Sequence, residues 1–117
     1  MNGASPTQQD VRDALQELYT KLNTAYWDAT TIQTKDRLRG LAEAVEDVIS
    51  TLNAQQINEN TVQFAQLQAT MGIINTKLTQ LKADINNIIH NIQTTRDVAT
   101  GIDKALGIAA KFFKLVA

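Results

Sequence analysis

The chain is predicted to be all-α, an elongated helical bundle or helical hairpin with a long coiled-coil-like C-terminal half. Sixteen positions from Phe64 to Val116 alternate steps of three and four, which keeps one apolar stripe on one side of a helix. Helix breakers are scarce, with one proline and five glycines in 117 residues. Aromatic content is only 5%, against abundant Leu, Ile, Ala, Gln and Asn, which disfavours a sheet.

The first helix is placed at about 6–29. Ser5 followed by Pro6 reads as its entrance, because serine caps free amides and proline at the first helical position loses no needed hydrogen bond. Val11, Leu15, Leu18, Leu22, Ala25 and Ala29 form its stripe, widened by Tyr19 and Tyr26, and Thr30-Thr31 weakens it. A second stripe, Leu38, Ala42, Val45, Ile49 and Leu52 with Leu41 and Val48 beside it, places a helix at about 34–53. Its register is rotated by about 100° from the first, which favours a bend or break between Ala29 and Lys35.

Asn53 to Asn60 is rich in amides that compete with helical hydrogen bonds, and Asn60 with Gln63 has capping-box spacing. The long third helix is therefore expected at 60–99, spanning about 60 Å. Its seam holds Phe64, Leu67, Met71, Ile74, Leu78, Leu81, Ile85, Ile88, Ile92, Thr95 and Ala99, and the rhythm continues through Ile102, Leu106, Ala109, Phe113 and Val116. The stripe is weakest at Thr95 and Ala99, just before Thr100-Gly101, so a hinge is expected near Gly101 and a fourth helix at 101–116. The four helices form a single domain, which is what 117 residues support.

Composition excludes several function classes. Eleven basic against twelve acidic residues give a net charge of −1, too balanced for nonspecific nucleic-acid binding. The chain has no cysteine, hence no disulfide or thiolate metal site. It lacks the basic start and apolar run of a secretory signal and has no stretch that would span a membrane, so it reads as soluble with its compartment open.

The segment from Val98 to Ala117 differs in character. Its apolar arc takes in Ile102, Ala105, Leu106, Ile108, Ala109, Phe112, Phe113, Leu115 and Val116, while Lys104, Lys111 and Lys114 outnumber Asp103 on the narrow remainder. Over about 17 residues it resembles cationic antimicrobial helices of the magainin type, most visibly in Gly101-Ile102, Lys104, Leu106, Ala109, Lys111-Phe112 and Lys114. That resemblance implies contact of Ile102, Leu106, Phe112, Phe113 and Leu115 with the acyl boundary and of Lys111 and Lys114 with headgroups. The alternative is that this tail completes the bundle core or makes an oligomer contact.

Other chemistry-bearing residues read as surface. His90 falls on the outermost heptad position with no converging ligand; Glu43, Glu46 and Asp47 form a compact acidic face; Lys35, Arg37 and Arg39 are balanced by Asp36 and that cluster. Trp27, with Tyr26 and Tyr19, suits a partner surface or core packing. No phosphate loop, nucleophile elbow or triad spacing is present. The sequence thus points to a non-enzymatic interaction or assembly protein without cofactor, metal or small-molecule substrate, self-associating or binding a partner helix through Leu67, Met71, Ile74, Leu78, Leu81, Ile85, Ile88 and Ile92. The alternative is a membrane-active, toxin-like or pore component using helix 98–117.

Overall fold

Short polar caps divide the chain into four helices in the computed structural model, which describes residues 6–115. These are α1 (Gln8–Asp28), α2 (Ile32–Ala54), α3 (Val62–Ile88) and α4 (Ile92–Phe113). Each starts at a side chain that accepts the amide three residues on: Thr7 from Asp10, Thr31 from Thr34, Thr61 from Phe64 and Asn91 from Thr94. At α1 the cap is reciprocal, since the Thr7 amide donates to Asp10 at 2.8 Å. The expected entrance at Pro6 thus moves to Thr7, and Ser5 lies outside the described residues. Thr61 replaces Asn60 as the cap of α3, and Asn60 instead takes the left-handed turn before it at φ 70°.

Neighbouring helices run antiparallel. Gln8 at the start of α1 donates to the carbonyls of Leu52 and Gln55 at the end of α2, and Gln68 near the start of α3 donates to the Phe113 carbonyl at the end of α4. Arg37 early in α2 pairs with Asp84 late in α3, and Thr94 early in α4 donates to Asp28 at the end of α1. α1 packs on α2 and α4, and α3 packs on α4 and, more loosely, on α2. The result is a closed four-helix bundle with extents of 42 × 30 × 22 Å and a radius of gyration of 14.2 Å.

The expected 60–99 helix is the main correction. It ends at Ile88, and the turn Ile89-His90-Asn91 sends the chain back. Ile89 is extended and forms an antiparallel bridge with Ala29 of the α1–α2 turn, while Asn91 caps α4. The apolar register also shifts: α3 buries Phe64, Leu67, Met71, Ile74, Leu78, Leu81, Ile85 and Ile88, but α4 restarts on Thr94, Val98, Gly101, Ile102, Ala105, Ala109 and Phe113. Ile92 drops out of the stripe at 70% exposure, and Thr95, Ala99 and Leu106 are only half-buried. Val116 lies outside the described residues.

Gly101 is not a hinge. It sits in mid-helix, buried against α1, where an added Cβ would lie 3.0 Å from Lys21 Cδ, 3.5 Å from Leu18 Cδ1 and 3.8 Å from Leu18 Cα. Its lack of a side chain lets the two backbones approach, and Ala14, Ala25 and Ala105 are buried in the same two helices.

The two hairpins equate at an offset of sixty residues. Gln8, Leu18, Ile32, Gln33 and Thr34 recur as Gln68, Leu78, Ile92, Gln93 and Thr94. The offset also matches structure: both glutamines clamp the end of the second helix of their own hairpin, both threonine amides close their helix cap, and Ala29 bridges its own equivalent, Ile89. The bundle is therefore pseudo-twofold, with the axis passing between these two turns.

Lys104 of α4 donates to Glu17 of α1 at 2.9 Å, and Lys21 reaches the same carboxylate at 3.1 Å. The Lys104 hydrogen bond, then that from Lys21, holds the Glu17 carboxyl below its ordinary value of 4.5. Because the shift is downward, its contribution to stability is present above that value and fades as pH falls through the lowered one. The melting-temperature advantage of wild type over Glu17→Gln is therefore expected at neutral pH and lost below the carboxylate range, and it is small because the pair is exposed. Gly40 has nothing within 4 Å of an added Cβ. Gly40→Ala should raise stability by about 0.5–1 kcal/mol, while Gly101→Leu should lower it by about 2 kcal/mol, both read by denaturant unfolding.

Candidate functional site

The eight predicted seam residues are not brought together on a free surface. Leu67, Met71, Ile74, Leu78, Leu81, Ile85 and Ile88 are buried within the chain's own core, and only Ile92 faces outward. Of the predicted membrane contacts, Ile102 and Phe113 are fully buried, and Leu106, Phe112 and Leu115 are half-buried against the core. Phe113 packs on Phe64 and Phe112 at ring-centroid distances of 5.7 and 4.9 Å, closing the end of the bundle opposite the bridged turns. Lys111 is exposed, and Lys114 pairs with Glu59 of the α2–α3 loop. The arc of α4 that resembles an interfacial helix is thus largely occupied by α1 and α3.

The charged groups singled out in the sequence are surface features. Lys35 donates to the Tyr26 carbonyl at 2.7 Å and lies 4.6 Å from the Tyr26 ring centre, with Arg39 at 4.7 Å from the same ring. Arg37 is engaged by Asp84 at 3.1 Å. His90 is exposed in the α3–α4 turn, and among the described residues no group of three His, Cys, Asp or Glu side chains is placed to hold a metal ion. Trp27 stands 78% exposed, with the edge of Tyr26 against its ring and Lys35 Nζ 5.8 Å from the ring centre.

What the surface does offer is a groove of about 520 Å³ between α2 and α3. Leu41, Ala44, Ile73 and Ile74 form its apolar wall, Gly40 widens it, and Asp36, Arg37 and Lys77 stand around it. The pseudo-symmetry explains why it exists. The α2–α3 contact is the counterpart of the tight α1–α4 contact, but the position held by Gly101 in α4 is held by Leu41 in α2. A leucine where its equivalent is a glycine stops the backbones from closing, and the gap becomes the groove.

Ile73, at 61% exposure, rims this groove and belongs to an outer face of α3 that is uncharged for half its length. Val62, Gln63, Ala65, Gln66, Ala69, Thr70, Ile73 and Thr76 are all exposed, and Lys77 is the first charged residue of the helix. On the far side of α3 a second groove, lined by Gly72, Asn75, Thr76, Thr79, Leu106, Ala110 and Leu115, separates it from α4. The heptad reading of α3 passed over this face because the face carries no apolar periodicity; its signal was the missing charge.

Comparison with known protein families, with characterised proteins and with solved structures finds no match.

Because the seam is internal, a carboxylate placed in it has no solvent and no partner. Ile85→Asp is expected to lower stability by about 3 kcal/mol or more, read by denaturant unfolding. Dissociation of an otherwise folded chain would contradict this placement.

Proposed function

We propose that this chain is a non-enzymatic helical assembly protein that self-associates, not through its heptad seam but through the outer face of α3 and the adjoining α2–α3 groove. One observation carries the reading: a predominantly apolar groove, walled by Leu41, Ala44, Ile73 and Ile74, adjoins an uncharged half of the outer face of α3. Charged residues are depleted from the centres of interfaces, and an uncharged face of Ala, Thr and Gln lets a second helix approach without desolvating ions. Across a twofold contact of antiparallel α3 helices, the uncharged first half of one copy lies against the second half of the other. There Lys77, Lys82 and Asp84 meet neutral side chains and no like charge.

The non-catalytic part of the reading rests on the grooves themselves. Their apolar walls are aliphatic, and the charged side chains beside them include one already paired, Arg37 with Asp84. The elongated coiled-coil form expected from the sequence becomes, on this reading, a property of the assembly: bundles joined side by side along α3.

Light scattering of the wild-type chain at tens of micromolar is expected to give a mass that is a multiple of the 12.9 kDa protomer. Ile73→Lys, at an exposed site, should keep the helical signal and a cooperative melt while returning the mass to that of one protomer. A wild-type mass of one protomer at that concentration, or an Ile73→Lys variant that assembles as wild type does, removes the proposal.

A further inference from the structure

The end of the bundle where the two bridged turns meet has a character of its own. Trp27 in the last turn of α1 and Ile32 and Ile92, the first residues of α2 and α4, are 78%, 78% and 70% exposed. Residues 29–34 and 88–95, which form both turns and both helix starts, include no Asp, Glu, Lys or Arg. Of the charged groups at their base, Asp28 accepts the Thr94 hydroxyl at 2.5 Å, Lys35 donates to the Tyr26 carbonyl and Asp97 accepts from Gln93, while Asp36 and Arg96 stand exposed one turn further from the tip. The opposite end carries Glu59, Lys111 and Lys114.

The pseudo-symmetry makes the isoleucines informative. Within the repeated Ile-Gln-Thr, the threonine has a structural reason in both copies, since its amide closes the helix cap at 3.1 and 3.0 Å. The isoleucine has none: it is β-branched, gains nothing from helix propensity at a first turn, and packs on nothing that would hide it. Two hairpins that differ at most positions nevertheless keep the same bulky apolar side chain exposed at the same place, beside the pseudo-twofold axis.

We infer that this uncharged end docks on the surface of a lipid bilayer, with Trp27, Ile32 and Ile92 entering the boundary between headgroups and acyl chains. A second copy is the poorer occupant. Three such side chains offer on the order of 400 Å² of apolar surface, about half of what each partner in a stable protein contact buries. A bilayer sets no such minimum and accepts protruding apolar side chains; tryptophan favours its interface, and threonine, asparagine and glutamine suit the headgroup layer. The nearby basic side chains are held within the chain, Lys35 and Arg39 on Tyr26 and Arg37 on Asp84, so the contact does not rest on anionic lipid. Among the described residues no helix is long and apolar enough to cross a membrane, so the docking is peripheral. The inference does not depend on assembly through α3.

Trp27 is the only tryptophan, so its emission reports this site alone. The full chain is mixed with phosphatidylcholine vesicles, and both co-sedimentation and the emission maximum are measured. Binding with a blue shift, weakened more than about tenfold in the Ile32→Asp, Ile92→Asp double variant, is the expected result. Both sites are exposed, and an unchanged melting temperature verifies that the variant folds. The inference is overturned by wild type that neither sediments nor shifts, or by a double variant that binds equally well. It is also overturned by binding that needs anionic lipid and disappears in salt, or that is lost in Lys111→Glu, Lys114→Glu instead. A lipid-free mass increase abolished by the double variant would assign the tip to a second copy and overturn it too.

Discussion

The close approach of α4 to α1 at Gly101 is the contact on which the rest of the architecture depends. A Cβ there would stand 3.0 Å from Lys21 Cδ and in van der Waals contact with Leu18, so even a methyl displaces the Lys21 side chain and a longer side chain would run into α1. To reach that position α4 has to turn back immediately after Ile88, and the Asn91 cap with the Ile89–Ala29 bridge supplies the turn. Once α4 is folded back, the apolar stripe of α3 is covered by helices of its own chain. An isolated stripe of this length needs a partner, and the partner here is intramolecular.

The helix stripes were legible because each buried residue leaves a mark in the sequence. Val11, Leu15, Leu18 and Leu22, then Leu38, Ala42, Val45 and Ile49, then Leu67 to Ile88, are all buried as their spacing predicts. The end of α3 was not legible, because the three-and-four rhythm runs across it by coincidence. Ile102, Ala109 and Phe113 satisfy both the continued register and the new one, so only Ile92, Thr95, Ala99 and Leu106 betray the shift. Gly101 misleads for a related reason: a glycine that ends a helix and a glycine that admits a neighbouring backbone look alike until the neighbour is known.

The candidate surfaces were harder to read, since a surface is defined by what fails to be covered. The α3 face shows itself in sequence only as a run without charge from Thr61 to Thr76. The recurrence of Ile-Gln-Thr sixty residues apart was the stronger signal. It locates the turn at His90-Asn91 by equivalence with Thr30-Thr31, where the stripe visibly weakens, and it identifies Ile92 as the counterpart of Ile32 and not as a seam residue.

Pseudo-symmetry also shows how two halves of one plan come to differ in use. A twofold bundle has two equivalent contacts between hairpins, α1 with α4 and α3 with α2, and identical halves would close both or neither. Gly101 closes the first, and Leu41 at the matching place keeps the second open, leaving α3 the least covered helix and giving the molecule its groove. The ends differ as well. At one, Phe64, Phe112 and Phe113 seal the core and Gln8 and Gln68 clamp the helix ends, so the apolar residues there are satisfied within the chain. At the other, the turns satisfy their own backbone through caps and a bridge, yet leave Trp27, Ile32 and Ile92 outside. Apolar side chains that folding leaves exposed, at an end where polar caps already complete the backbone, add nothing to the stability of the bundle, and the presence of the isoleucine in both halves, with Trp27 beside it in one, points to a contact outside it.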